Sequence, residues 1–249
     1  MIRKSRAWCL ACLMLVFAAP AISVEKNVVL GSSEYPPFFS EHLPSGGVTT
    51  EIVVEAFKKV GYTTTVTFMP FARTLKEGQL GSIDGIIALW HTQQREQLFV
   101  FSDPLPPNLI GLYKKKNKHI RFKTLSDLTP YTIGTVRGYS NPPGFKEANL
   151  QIEAAGVDDQ NLLKLDAERF DLALIDKWVA QYLIRSKFPH LERTLEWLEP
   201  PLETKYQYLV FSKRSKGHEQ RLVDFNAGLR ELKASGEYQS ILIKHGFED

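Results

Sequence analysis

The sequence predicts an α/β protein made of two lobes joined by a two-strand hinge. Three observations lead there. Apolar runs alternate with amphipathic segments in the strand–helix order of a parallel sheet. That order begins near Val28 and restarts near Lys123. Two extended runs, Leu109 to Tyr113 and Tyr206 to Phe211, flank the second series and are placed to carry the chain between lobes.

In the first series, Val28-Val29-Leu30 runs into Gly31-Ser32-Ser33, a strand followed by a loop. From Thr50, the apolar positions Ile52, Val53, Ala56, Phe57 and Val60 recur at helical spacing, and Gly61 marks the stop. Tyr62 to Met69 alternates and is rich in Thr and Val, a second strand; Phe71 to Gly78 reads as a short helix and Ile83 to Trp90 as a third strand. The second series has a strand at Thr132 to Val136, then a helix expected to start near Pro142 behind Ser140 or Asn141 as cap. Asp159 to Phe170 is expected to be helical, Leu172 to Ile175 a strand, and Lys177 to Lys187 a helix. The last segment carries Leu222, Phe225, Leu229 and Leu232 at helical spacing, then Gly236 and a final short helix ending near His245. Without a strand partner of its own, it is expected to pack on the first lobe. The expected division is a signal segment at 1–21, a first lobe of 22–111 and 207–249, and a second lobe of 112–206.

Arg3, Lys4 and Arg6 precede a mostly apolar stretch from Ala7 to Ala18 and then Ala19-Pro20-Ala21, the charge, apolar and small-residue order of a cleavable secretory signal. Cleavage near Ala21 removes both cysteines, Cys9 and Cys12, and leaves about 228 of the 249 residues. The product is then expected to be exported, without disulfides or a thiol nucleophile. The three basic residues leave as well, so Lys+Arg falls from 31 to match the Asp+Glu count of 28. A near-neutral chain gives no reason to expect nucleic acid as a partner. Six well-separated histidines with no HxxxH or HExxH spacing argue against a metal, and no other cofactor is indicated.

In open α/β sheets, ligands bind beyond the C-terminal ends of the strands. Polar and aromatic residues collect there: Tyr35 and Phe38 in the YPPF turn after the first strand, Phe71 and Arg73 after the second, and Trp90 and then Arg95 at the end of the third. Gly138, Tyr139 and Ser140 follow the fourth, and Asp176 ends the DLALID strand. Each has a plain alternative. Asp176 and Ser140 are also suitable helix caps, Arg73 and Arg95 suitable surface residues, and Phe71 and Trp90 suitable core.

The order YPPF, FARTLKEGQLGSIDGI, TQQREQLFVFSDPL, IGTVRGYS, DLALID and GEYQSILIKHGF resembles the bacterial solute-binding proteins of family 3, across essentially the whole chain after the signal. The resemblance implies the type II periplasmic-binding fold, with two α/β lobes closing on a small ligand for a membrane ABC permease, as a monomer. It further implies that Arg95 forks onto a ligand α-carboxylate, that Asp176 takes the α-ammonium, and that Tyr35 and Phe71 stack on the ligand. The loop amides of Gly138, Tyr139 and Ser140 would meet the carboxylate. Family members that bind amino acids usually have a small hydroxyl or glycine pattern just before that arginine; here Ala88 and Trp90 stand there, and Arg73 adds a charge. The ligand class is therefore an amino acid or a related small carboxylate with a flat portion for Trp90. Two alternatives share the scaffold. One is a cyclohexadienyl dehydratase-like lyase with Asp176 or Glu34 moving the proton; the other is a sensing module acting on a membrane kinase.

Overall fold

The computed structural model describes residues 26–137, 139 and 141–247. The signal segment expected at 1–21 and two residues of the expected ligand loop, Gly138 and Ser140, lie outside the described residues. Two five-stranded sheets organise the rest. The first is assembled from β1 (Lys26–Ser32), β2 (Tyr62–Phe68), β3 (Gly85–Trp90), β4 (Phe99–Phe101) and β10 (Gln207–Ser212), in the order β2-β1-β3-β10-β4. The second contains β5 (Asn108–Lys115), β6 (Thr132–Val136), β7 (Gln151–Ala155), β8 (Leu172–Asp176) and β9 (Leu195–Lys205), in the order β7-β6-β8-β5-β9. Each sheet has a parallel trio, β2-β1-β3 or β7-β6-β8, completed by an antiparallel strand arriving from the other lobe's side of the chain.

Helices α1 (Val48–Lys59) and α2 (Phe71–Leu80) connect the parallel strands of the first sheet, and α3 (Gln93–Glu96) is a single turn after β3. Helices α4 (Asp158–Asp166) and α5 (Lys177–Ser186) serve the second sheet. Helices α6 (His218–Ala234) and α7 (Glu237–Lys244) return to the first lobe, where both pack against α1. Buried Phe57, Phe211 and Phe225 meet edge-on or tilted at centroid distances of 5.1 to 6.5 Å and tie α1, β10 and α6 together.

Residues 102–107 and the single residue Tyr206 carry the chain between the lobes. Apart from Tyr206, the two extended runs expected to form the hinge are therefore members of opposite sheets. Residues 108–111, assigned to the first lobe from sequence, pair with β8 and β9 in the second. The C-terminus adds another contact between lobes: the Phe247 ring stands edge-on to Phe38 of the first lobe at 5.3 Å and stacks on Trp178 of α5 at 4.7 Å.

The short α3 and β4 were not expected, and three further elements depart from the expectation for local reasons. The helix expected near Pro142 is a run of turns, because Gly144 and Asn149 adopt left-handed backbone with φ of 79° and 50°. Strand β7 was not foreseen, since an edge strand exposed along most of its length shows no apolar alternation. Strand β9 was hidden by Pro200 and Pro201, which are compatible with an edge position such as the one it occupies.

Gly228 of α6 lies against the backbone of α1, and a Cβ built there would stand 2.0 Å from the Ala56 carbonyl oxygen. Gly228→Ala is expected to push the two helices apart and to lower stability by about 1–3 kcal/mol. Chemical denaturation measures this; an unchanged midpoint would contradict the close packing.

Candidate ligand cleft between the lobes

The C-terminal ends of the parallel strands of both sheets face a common cleft of about 510 Å³. From the first lobe, the β1 exit supplies Glu34 and Tyr35, the start of α2 supplies Phe71, β3 supplies Ala88 and Trp90, and α3 supplies Arg95. From the second, the β6 exit supplies Tyr139, the residue after β7 and Gly156-Val157 supplies Asp158, and β8 ends in Asp176. The lining is mostly aromatic and aliphatic, with a few charged groups set into it.

Asp176 stands in both places considered from the sequence, at a helix cap and at the cleft wall. Its Oδ1 caps α5, accepting from the amides of Trp178 at 2.8 Å and Val179 at 3.0 Å. Its Oδ2 accepts from the Asn108 side-chain amide at 3.1 Å, and the residue is 3% exposed at the cleft wall. Burial pushes its carboxyl up to about 7 even though these donors pull the other way. The sign follows from that direction. In the ligand-free protein this group's stabilising contribution is complete below the ordinary carboxylate range and is lost as pH rises through about 7.

Asn108 links this carboxylate to the first lobe. Its Oδ1 accepts from the Trp90 indole N–H at 2.9 Å and from Gln207 Nε2 at 3.0 Å. The indole is thus held by its nitrogen with its ring along the cleft, and Lys205 Nζ sits 4.7 Å from the ring centroid. Ala88 has φ of 65°, in the left-handed region, where the pairing of β3 with β10 slips register between Tyr208 and Val210.

Arg95 is half-buried. One guanidinium nitrogen donates to the Trp90 carbonyl at 2.7 Å, and burial lowers its pKa. Among the described residues it has no carboxylate partner. Tyr35 is half-buried on the same wall, and its hydroxyl is held well above its ordinary value, first by burial and then by Asp176, Asp158 and Tyr139. That dependence puts the tyrosine of one lobe in the field of the acids of the other.

Of the residues expected at the site, Tyr35, Phe71, Ala88, Trp90, Arg95, Tyr139 and Asp176 line the cleft. Phe38 does not; it is buried against Tyr35 and Phe247, and its neighbour Phe39, bridged to Tyr35 across the turn, lines the wall instead. Arg73 is also displaced from the site. Its side chain is 67% exposed, 4.0 Å from Glu77 one turn along α2, because Thr74 and Gly78 form that helix's buried face. Residues that sequence reasoning passed over include Asn108, Asp158, Lys205 and Gln207.

No helix among the described residues is long and apolar enough to cross a membrane, and no cluster of three or more His, Cys, Asp or Glu suited to a metal is found among them. The L-cystine solute receptor of Neisseria gonorrhoeae in its unliganded open conformation superposes with a TM-score of 0.73 at 20% identity, over 91% of this chain and 94% of that one. Substrate-binding domain 2 of Lactococcus lactis GlnP, also open, gives 0.71 at 19% identity, over 91% and 97%. The ligand-binding core of GluR0 from Nostoc punctiforme, in complex with L-glutamate, gives 0.66 at 18% identity, over 88% and 99%. At these identities the likeness concerns the two-lobed fold. The profile of the bacterial extracellular solute-binding proteins, family 3, matches residues 28–248, nearly all of the sequence, and the chain belongs to that family.

Proposed function

We propose that this protein is an exported, periplasmic receptor that closes on an amino acid or a closely related small carboxylate and delivers it to a membrane ABC permease. The single observation that carries this reading is the pairing of opposite charges across one cleft. Arg95 on the first lobe lacks a carboxylate partner among the described residues, while Asp176 stands at the wall of the second. A ligand with a carboxylate and an ammonium satisfies both walls only when the lobes approach, so its binding energy selects the closed state. A guanidinium suits the carboxylate because it can donate two parallel hydrogen bonds. Phe71 and Trp90 offer flat apolar surface for the body of the ligand. The apolar, basic-led N-terminal segment supports export, and the neighbours named for amino-acid or solute reception support the ligand class and transporter partner.

The geometry favours holding a ligand over proton transfer. Both Asp176 oxygens already accept from fixed N–H donors, Oδ1 from two amides of α5 and Oδ2 from Asn108, so the carboxylate is held in place as a contact.

Arg95→Ala and Asp176→Asn are each expected to weaken the best solute by about ten- to a hundredfold in calorimetric titration, as expected for losing a charged hydrogen bond in a desolvated site. Wild-type affinity in both variants would remove these residues from the site. Binding is also expected to depend on pH. A ligand ammonium lowers the pKa of Asp176, which stands at about 7 in the free protein, so association releases a proton and affinity falls as pH drops from 7 toward 5. In Asp176→Asn the remaining dependence should be that of Asp158, which burial raises to about 6, and should fall below that pH. Titrations in buffers of different ionisation enthalpy read the proton directly; no proton release at pH 7 would contradict the assignment.

A further inference from the structure

Asp158 is unlike the other acid on its lobe. It opens α4 just beyond the end of β7 and lines the cleft. Its Oδ2 accepts from the Tyr139 hydroxyl at 3.0 Å. Its Oδ1 is shielded from solvent and has no hydrogen-bond partner among the described residues. The neighbouring Asp159 is already engaged at the surface, 2.8 Å from Lys187 Nζ. Asp176 likewise has both oxygens occupied. The second lobe therefore presents one carboxylate in use and one with a free acceptor.

Charge counting along the wall leads the same way. Glu34, Asp158 and Asp176 face Arg95 and Lys205. Lys205 is already 3.3 Å from Glu203 Oε2, which leaves Arg95 as the cation of the wall without a carboxylate partner among the described residues. A solute with one positive and one negative group neutralises Arg95 and one acid, and leaves a second buried acid uncompensated. Burying an unpaired carboxylate is costly, and burial already raises the Asp158 pKa.

We propose that Asp158, held by Tyr139, is a second anionic contact in the cleft, and that the preferred solute carries two cationic nitrogens and one carboxylate on a largely apolar stem: a basic amino acid. This rests on the receptor reading above and narrows its ligand class. The first cation meets Asp176, the carboxylate meets Arg95, and the second cation pairs with the shielded, unpartnered Oδ1 of Asp158. Tyr139 positions that carboxylate by donating to its other oxygen.

The test is calorimetric titration of the exported protein with L-arginine and with L-citrulline, which is close in shape but lacks the side-chain charge. L-lysine, L-leucine and L-glutamate complete the panel. The cationic member is expected to bind about tenfold tighter or more than its neutral counterpart. Asp158→Asn should bring that ratio close to one by weakening the cationic solute. Tyr139→Phe, which keeps the carboxylate, should reduce the ratio partially and serves as the second variant if Asp158→Asn fails to fold. The proposal is overturned if L-citrulline or L-leucine binds as well as L-arginine and L-lysine in the wild type, or if both variants keep the wild-type ratio. In those outcomes a receptor for amino acids still stands. Absence of binding across the whole panel would remove the amino-acid reading together with this inference.

Discussion

One buried side chain, Asn108, sets the geometry of the cleft. It lies where the chain enters the second sheet, with no exposed surface, and its amide contacts three other segments. The carbonyl oxygen takes N–H groups from Trp90 at the end of β3 and from Gln207 at the start of β10. The amide nitrogen gives a hydrogen bond to Asp176 at the end of β8. Only a group that is both acceptor and donor, and neutral, satisfies all three; a carboxylate would face Asp176 with a second negative charge, and a leucine would leave two donors unpaired and take from Asp176 the partner of its Oδ2. Both chain crossings, residues 102–107 and Tyr206, sit beside this residue or its partner Gln207. The network thus ties the indole and the carboxylate to one side chain.

Asp176 caps a helix and still stands at the wall of the cleft. The cap orients the carboxylate, and two amides of the first turn of α5 favour its negative charge. Burial opposes that charge, and the balance lies near neutrality. A residue in this position responds to an arriving cation with a larger change than an exposed aspartate would, since low local polarity strengthens the attraction. The aromatic lining around it contributes to that response by excluding water. Cap and cleft wall therefore reinforce each other, because the helix that is capped is the one whose N-terminus looks into the cleft.

Much of this was legible in the sequence, for identifiable reasons. Strands β1, β3, β6 and β8 are apolar runs ended by a change of composition, so the residues at their exits could be named: Tyr35, Trp90, Tyr139 and Asp176 all reach the cleft. What stayed hidden came from elements without such a signature. Strand β7 is an edge strand with an exposed, mixed sequence, and failing to see it left Asp158 as just another acid at the start of a helix. Lys205 ends β9, whose prolines masked it. Asn108 and Gln207 are buried polar residues, and a sequence shows their type without showing their burial. The two displaced residues follow from local geometry. Phe38 and Phe39 exchange places because the Tyr35–Phe39 bridge curls the turn, and Arg73 lies off the face of α2 that Thr74 and Gly78 bury.

The most direct test is a crystal structure of the protein with its tightest-binding solute. The account predicts that solute between the lobes, its carboxylate within hydrogen-bond distance of the Arg95 guanidinium and a cationic nitrogen against Asp176, with the Asn108 network intact. A solute bound elsewhere, or one lying in the cleft without touching Arg95 or Asp176, would contradict it.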